Sequence, residues 1–207
     1  PTAGRQGPNP GLRWPPVQTP GRRGGGLAFL QWGIALQLYS PESPDVVRAL
    51  EHAVQLTPGN ARAHFHLAQA YLRISKQSAA VDNLERTLEA RDDYPNARFL
   101  LGRTQLELKR YTDAEGTLKD VLQRFANHTG AMAALAELYE KRGRPLAAET
   151  MLLRIARAQP QVAYHFVRLA RFYERVGEPD KAREARAHAN VVDPRPNREM
   201  RPLRRSR

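Results

Sequence analysis

The sequence predicts an all-α fold, a solenoid of about five helical hairpins carried between two basic, disordered tails. Three observations lead there. The chain repeats itself at a spacing of 34 residues, and a fixed period of this length marks a stack of supersecondary units. Leu67, Ala68, Tyr71 and Leu135, Ala136, Tyr139 recur at i, i+1 and i+4, which keeps one helical face apolar. Glycine and proline gather outside the repeats: residues 1–26 hold 6 of the 16 prolines and 7 of the 14 glycines. A segment of that composition cannot bury enough apolar surface to order itself.

The first hairpin is read over 26–60, with one extra residue in its turn. Phe29, Trp32, Gly33 and Leu36 mark its first helix, Val46, Leu50 and Ala53 its second, and Pro58 closes it. The second, 61–94, repeats the pattern with His64, Leu67, Ala68, Tyr71, Ala80, Leu84 and Thr87. The third, 95–128, carries Arg98, Leu101, Gly102, Gln105, Ala114, Leu118 and Val121, and Pro95 belongs in the first turn of its helix, where the missing N–H costs nothing. The fourth, 129–162, has Met132, Leu135, Ala136, Tyr139, Gly143, Ala148, Ile155 and Pro160. The fifth, 163–196, has Phe166, Leu169, Ala170, Tyr173, Gly177, Ala182, Ala189 and Pro194, each 34 residues after its counterpart in the fourth. A small residue at the middle slot lets the second helix approach closely. Gly143 and Gly177 form the turns between helices, and Pro58, Pro160 and Pro194 end the second helices.

The two ends of the array differ. In the last hairpin Arg186 occupies the slot that holds Leu84, Leu118 and Leu152 elsewhere, and Asn190 follows one turn later. Ala182, Ala185, Ala189 and Val192 are left for the inner face, so this helix reads as a polar C-terminal cap. Residues 27–38 are apolar nearly all round, with Phe29, Leu30, Trp32, Ile34, Leu36 and Leu38. They predict a missing upstream segment, a Pro/Gly arm that folds back over this helix, or a dimer or partner interface, with truncation and self-association favoured.

Net charge is +12. Residues 1–26 contribute four arginines and no acid, and residues 195–207 six arginines against Glu199, so +12 less +4 and +5 leaves +3 for the body. Residues 27–194 are thus expected to form the solenoid with a nearly balanced surface, and 197–207 an Arg-rich tail. The absence of cysteine excludes disulfides, thiolate zinc and a cysteine nucleophile. No apolar stretch is long enough to span a bilayer. His64 and His66 stand two apart and point to different helix faces, and His52, His128, His165 and His188 have no companion at ligand spacing. No metal, cofactor or catalytic residue is expected, and Gly24-Gly25-Gly26 lacks the strand and lysine of a phosphate loop.

The recurring Leu-Ala-x2-Tyr and Ala-x3-Leu slots, with Gly143, Gly177 and the closing prolines, resemble the tetratricopeptide repeat, W-x2-L-G-x2-Y followed by A-x3-F-x2-A and a proline. The resemblance covers 26–196. It departs at His64, Arg98 and Met132 in the aromatic opening slot and at Gln105 in the tyrosine slot. It implies a right-handed α-solenoid and a non-enzymatic adaptor or scaffold that binds a segment of another protein in the groove lined by the first helices. Phase places Arg62, Phe65, His66, Gln69, Leu72 and Arg73 there from the second repeat. Phe99, Leu100, Arg103 and Leu106, with Glu107, come from the third, and Glu137 and Lys141, with Glu140, from the fourth. Tyr164, Arg168, Arg171 and Arg175, with Glu174, come from the fifth. Phe65, Leu72, Phe99 and Leu106 are read as exposed anchors for apolar side chains, with Arg62, Arg73 and Arg103 pairing with acids of the ligand. The clamp for chaperone carboxylate tails is unmatched, because Ala133 and Ala134 stand at its polar positions.

Two alternatives stand beside the adaptor. The arginine tails could bind a polyanion, RNA, DNA or anionic lipid, with only Trp14 available for stacking. The chain could also be the repeat region of a larger enzyme or secretion component. It begins at Pro1 rather than methionine, so a truncated N-terminus is expected, and the periplasm stands as the alternative to a cytoplasmic location.

Overall fold

The computed structural model describes residues 22–194. Most of the expected Pro/Gly arm and the Arg-rich tail lie outside the described residues. Among the described residues ten helices follow one another in five pairs: α1 (Arg22–Tyr39) and α2 (Pro44–Leu56), α3 (Ala61–Arg73) and α4 (Gln77–Ala90), α5 (Pro95–Glu107) and α6 (Tyr111–Arg124), α7 (Thr129–Lys141) and α8 (Pro145–Ala158), α9 (Ala163–Val176) and α10 (Pro179–Val192). Among the described residues there is no strand. The chain divides at Leu108 and Lys109 into two compact units, one with α1–α5 and one with α6–α10.

In the first unit α1 packs on α2 and α3, and α3, α4 and α5 pack in succession. Leu30, Leu36, Val46, Leu50 and Ala53 are fully or almost fully buried in one cluster. Phe65, Ala80, Val81, Leu84 and Leu101 form the next. Gly33, in the repeat's small slot, is where α1 meets α2, since a Cβ there would lie 2.6 Å from Leu50. The sequence pattern ends the arm at residue 26, whereas α1 begins at Arg22. Its first-turn glycines are poor helix formers, yet a Cβ on Gly26 would lie 2.5 Å from Thr57 Cγ2. Glycine here lets the start of α1 lie against the end of α2.

Local sequence sets the helix starts. Asn60 Oδ1 accepts from the N–H groups of Arg62 and Ala63 at 3.1 and 3.2 Å, capping α3. Pro44 and Pro95 take the first-turn positions of α2 and α5. His64 stands in the aromatic slot and is buried because its ring nitrogens meet Pro58 O and Asn83 Oδ1, each at 2.9 Å.

In the second unit α6 to α10 pack in succession. Leu118, Val121, Met132, Leu135, Leu152 and Leu169 are buried. The turns before α8 and α10 place Gly143 at φ 65° and Gly177 at φ 80°. The same left-handed conformation recurs at Lys109 (φ 60°) and Ser75 (φ 57°), so its four occurrences are 34 residues apart although two lack glycine. On α10, Ala182, Ala185 and Ala189 are buried, while Arg186 is exposed and pairs with Glu174, and Asn190 is exposed.

Candidate functional site

Each first helix buries one face and leaves a stripe at i, i+4, i+7 and i+11 on the opposite side. On α3 the stripe is Arg62, His66, Gln69 and Arg73, with both arginines exposed and the middle pair half-buried. On α5 it holds half-buried Leu100 and exposed Arg103 and Glu107. Arg103 Nη2 lies 3.3 Å from Glu107 Oε1.

Two expected anchors fail. Phe65 is 8% exposed and Leu106 is 4% exposed. The Phe65 ring lies 4.8 Å from the Tyr94 ring, inside the cluster formed with Ala80 and Leu84. Leu72 is half-buried and packs on that same cluster, and Phe99 is half-buried. On α3 and α5 the face is therefore more cationic and less apolar than the sequence suggests.

The same phase, carried back one repeat, adds residues that the sequence pattern did not assign to the groove. On α1 the equivalent stripe is Leu27, Gln31, Ile34 and Leu38. Leu27 is 52% and Leu38 75% exposed. Gln37 joins α1 to α3, since its Nε2 donates to His66 O and its Oε1 meets His66 Nδ1, both at 3.0 Å. Burial and then the Arg62 guanidinium lower the His66 pKa below 6.5.

In the second unit the stripe on α9 is Tyr164, Arg168, Arg171 and Arg175, beside Glu137 and Lys141 of α7. Tyr164 is the most exposed aromatic residue of this face, at 54%. Arg168 Nη2 donates to Ala133 O at 3.1 Å, Arg175 pairs with Glu140, and Lys141 Nζ lies 3.0 Å from Glu137 Oε1. These cations are engaged within the unit. Among the described residues no carboxylate bridges Arg171, nor Arg62 or Arg73 in the first unit. Burial, followed by Arg168, lowers the His165 pKa, and the ring meets Gln159 Oε1 at 2.7 Å.

Among the described residues no three His, Cys, Asp or Glu side chains are grouped to hold a metal ion, and no helix is long and apolar enough to cross a membrane. What the stripes offer is charge and hydrogen-bonding groups on rigid helices.

Helical hairpins of this length, with a 34-residue backbone register, define an α-helical repeat protein. The chain carries tetratricopeptide-type repeats: residues 109–165 match the tetratricopeptide repeat model, and 47–121 match the model of anaphase-promoting complex, cyclosome, subunit 3. Comparison with curated proteins finds no sequence match. Among solved structures the chain is similar to a crystal structure of MamA protein, with 16% identity and a TM-score of 0.75 over 86% of this chain and 97% of that one. MamA 41-end from Desulfovibrio magneticus RS-1 gives 15% identity and a TM-score of 0.74 over 84% and 97%. YrrB, described as a TPR protein with an unusual peptide-binding site, gives 18% identity and a TM-score of 0.67 over 82% and 87%. At these identities the likeness is one of fold.

Proposed function

We propose that this chain is a non-catalytic adaptor that binds acidic segments of another protein along the first-helix stripes. The observation that carries the reading is the set of exposed guanidiniums, Arg62 and Arg73 on α3 and Arg171 on α9, that lack a carboxylate among the described residues while their neighbours Arg103, Arg175 and Lys141 each have one. An arginine held on a rigid helix and left unpaired is suited to a bidentate hydrogen bond with a carboxylate. Exposed Tyr164 in the second unit and Leu27 and Leu38 in the first supply apolar contact beside these charges. YrrB, which is similar in fold, is described as a TPR protein with an unusual peptide-binding site.

The test uses two charge-reversal variants, Arg62→Glu with Arg73→Glu, and Arg171→Glu. Each should deplete the proteins captured from native lysate by the immobilised chain while helical circular dichroism is unchanged. Removing one charge-assisted hydrogen bond weakens binding by about 1.5–3 kcal/mol. Captured sets identical to the parent's would sink the adaptor reading.

The charge of the tails favours a second reading, polyanion binding. Its mark is an affinity for RNA that falls with salt in proportion to the phosphates contacted. It fails if deletion of 195–207 leaves that affinity unchanged.

A further inference from the structure

The second unit holds a cavity of about 600 Å³ on the side of α9 away from the arginine stripe. Phe166, Leu169 and Tyr173 of α9 face it, at the i, i+3, i+7 positions opposite Tyr164, Arg168, Arg171 and Arg175. Leu153 and Arg157 of α8 bound one side, and Lys181, Ala185 and His188 of α10 bound the other. The floor is apolar and the charged groups stand at the rim, the composition of a binding pocket and within its usual size range.

At this cavity the fifth repeat departs from the second and the fourth. Phe166 and Ala185 are the fifth-repeat counterparts of His64 and Asn83 in the second and of Met132 and Met151 in the fourth. In the second repeat a hydrogen bond of 2.9 Å between His64 Nδ1 and Asn83 Oδ1 closes this position. In the fourth, Met132 is fully buried and Met151 supplies a long side chain. In the fifth, alanine stands where asparagine or methionine stood, and Phe166 remains half-buried with its ring stacked on His188 at 5.6 Å.

The rim has a sign. Arg157 is exposed and has no carboxylate partner among the described residues. Lys181 Nζ lies 3.4 Å from Glu149 Oε1 and 5.4 Å from the centre of the Tyr173 ring. His188 also lines the cavity, and among the described residues Glu184 is the one acid that does. The chain's own ends are poorly matched to such a rim, because residues 1–21 contain no acid and residues 195–207 contain six arginines and one glutamate.

We propose that this cavity is a second docking site, which takes a leucine or phenylalanine side chain of an acidic segment in another protein, with carboxylates of that segment at Arg157 and Lys181. Apolar burial gives the anchor, and the rim selects for acidic flanks. The site is separate from the arginine stripe, so either can fail without the other.

The test measures anisotropy of a short fluorescein-labelled peptide with a Leu-Phe pair between acidic pairs, titrated with the full chain. A control peptide carries Ser-Ser in place of Leu-Phe. The control should bind at least about tenfold more weakly. Ala185→Met, which restores the methionine of the fourth repeat, should weaken the Leu-Phe peptide by about tenfold. Arg157→Glu, at an exposed position that does not threaten the fold, should do likewise, and Arg171→Glu should change nothing. The proposal is overturned if the Leu-Phe peptide does not bind or binds no better than the control. It is equally overturned if binding survives both Ala185→Met and Arg157→Glu. Sedimentation showing a dimer that Ala185→Met abolishes would assign the cavity to a second copy and overturn it too.

Discussion

The phenol of Tyr173 on α9 donates to Glu149 Oε1 on α8 at 2.8 Å, and 34 residues earlier the phenol of Tyr139 on α7 donates to Glu115 Oε1 on α6 at 3.3 Å. Tyr71 on α3 makes the same kind of contact with Glu51 on α2 at 2.7 Å. Val47 occupies the register position there, and Glu51, one helical turn on, takes the role. These hydrogen bonds tie the first helix of one repeat to the second helix of the repeat before it. Tyr173→Phe removes the hydroxyl and keeps the ring, so it should cost about 1 kcal/mol in urea denaturation. An unchanged midpoint would show that the hydrogen bond contributes nothing net.

The same hydrogen bonds predict sensitivity to alkali. Burial, then the hydrogen bond to Glu51 and its charge, push the Tyr71 phenol from 10.0 up to about 12, and the Tyr139 and Tyr173 phenols are raised as well. A raised acid holds its proton in the folded chain after the unfolded chain has lost it. The stabilisation is therefore whole below about pH 10 and lost as pH climbs towards about 12. Denaturation midpoints should fall over that window, and less steeply for Tyr71→Phe. Parallel curves for parent and variant would refute the linkage.

The Tyr–Glu pairs also show how far the sequence reading reached. Tyr71, Tyr139 and Tyr173 stand out at fixed phase, and phase alone is enough to place the ten helices. It does not say which carboxylate on the preceding helix meets each phenol, as the step from Val47 to Glu51 shows. The core boundary was harder to read. Phe65 lies next to the exposed stripe on the helical wheel, and its burial follows from Tyr94, which arrives from the loop before the next repeat. Of the candidate face, Arg62, Arg73 and Arg171 are exposed, and no carboxylate among the described residues bridges them. The engagement of Arg168 and Arg175 by α7 depends on how neighbouring hairpins dock, and no spacing within a single repeat records that.

His66 should make the first unit sensitive to acid. Burial and then the Arg62 charge lower its pKa below 6.5. The unfolded chain therefore takes up the proton first, and the stability present above about pH 6.5 is lost as pH falls through the folded value. Arg62→Ala removes the smaller cause. It should move the His66 midpoint upward in an NMR titration, yet leave it below 6.5, because burial remains. A midpoint that does not move would mean that the Arg62 charge is screened out before it reaches the ring.

Ser75 and Lys109 adopt φ 57° and 60°, at the positions where later repeats have Gly143 and Gly177. A side chain in the left-handed region costs about 1–2 kcal/mol, partly offset because glycine loses more entropy on folding. Ser75→Gly and Lys109→Gly should each stabilise the chain by about 0.5–1 kcal/mol in thermal or urea unfolding. Destabilisation by either would show that these turns are set by side-chain contacts instead.

Gly33 and Gly116 should respond to alanine in opposite directions. A Cβ at Gly33 would lie 2.6 Å from both Cγ and Cδ2 of Leu50, a side chain wholly buried in the first-unit cluster with no room to swing. Gly33→Ala must therefore push α1 off α2 or force Leu50 from its rotamer, at a cost of about 1–3 kcal/mol. Gly116 sits in the exposed middle of α6, where an added Cβ meets nothing within 4 Å. Gly116→Ala brings only the higher helix propensity of alanine and should stabilise by about 0.8–1 kcal/mol. Urea denaturation of the two variants against the parent reads both signs. If Gly33→Ala proved neutral, the packing between α1 and α2 would have to be looser than the structure has it.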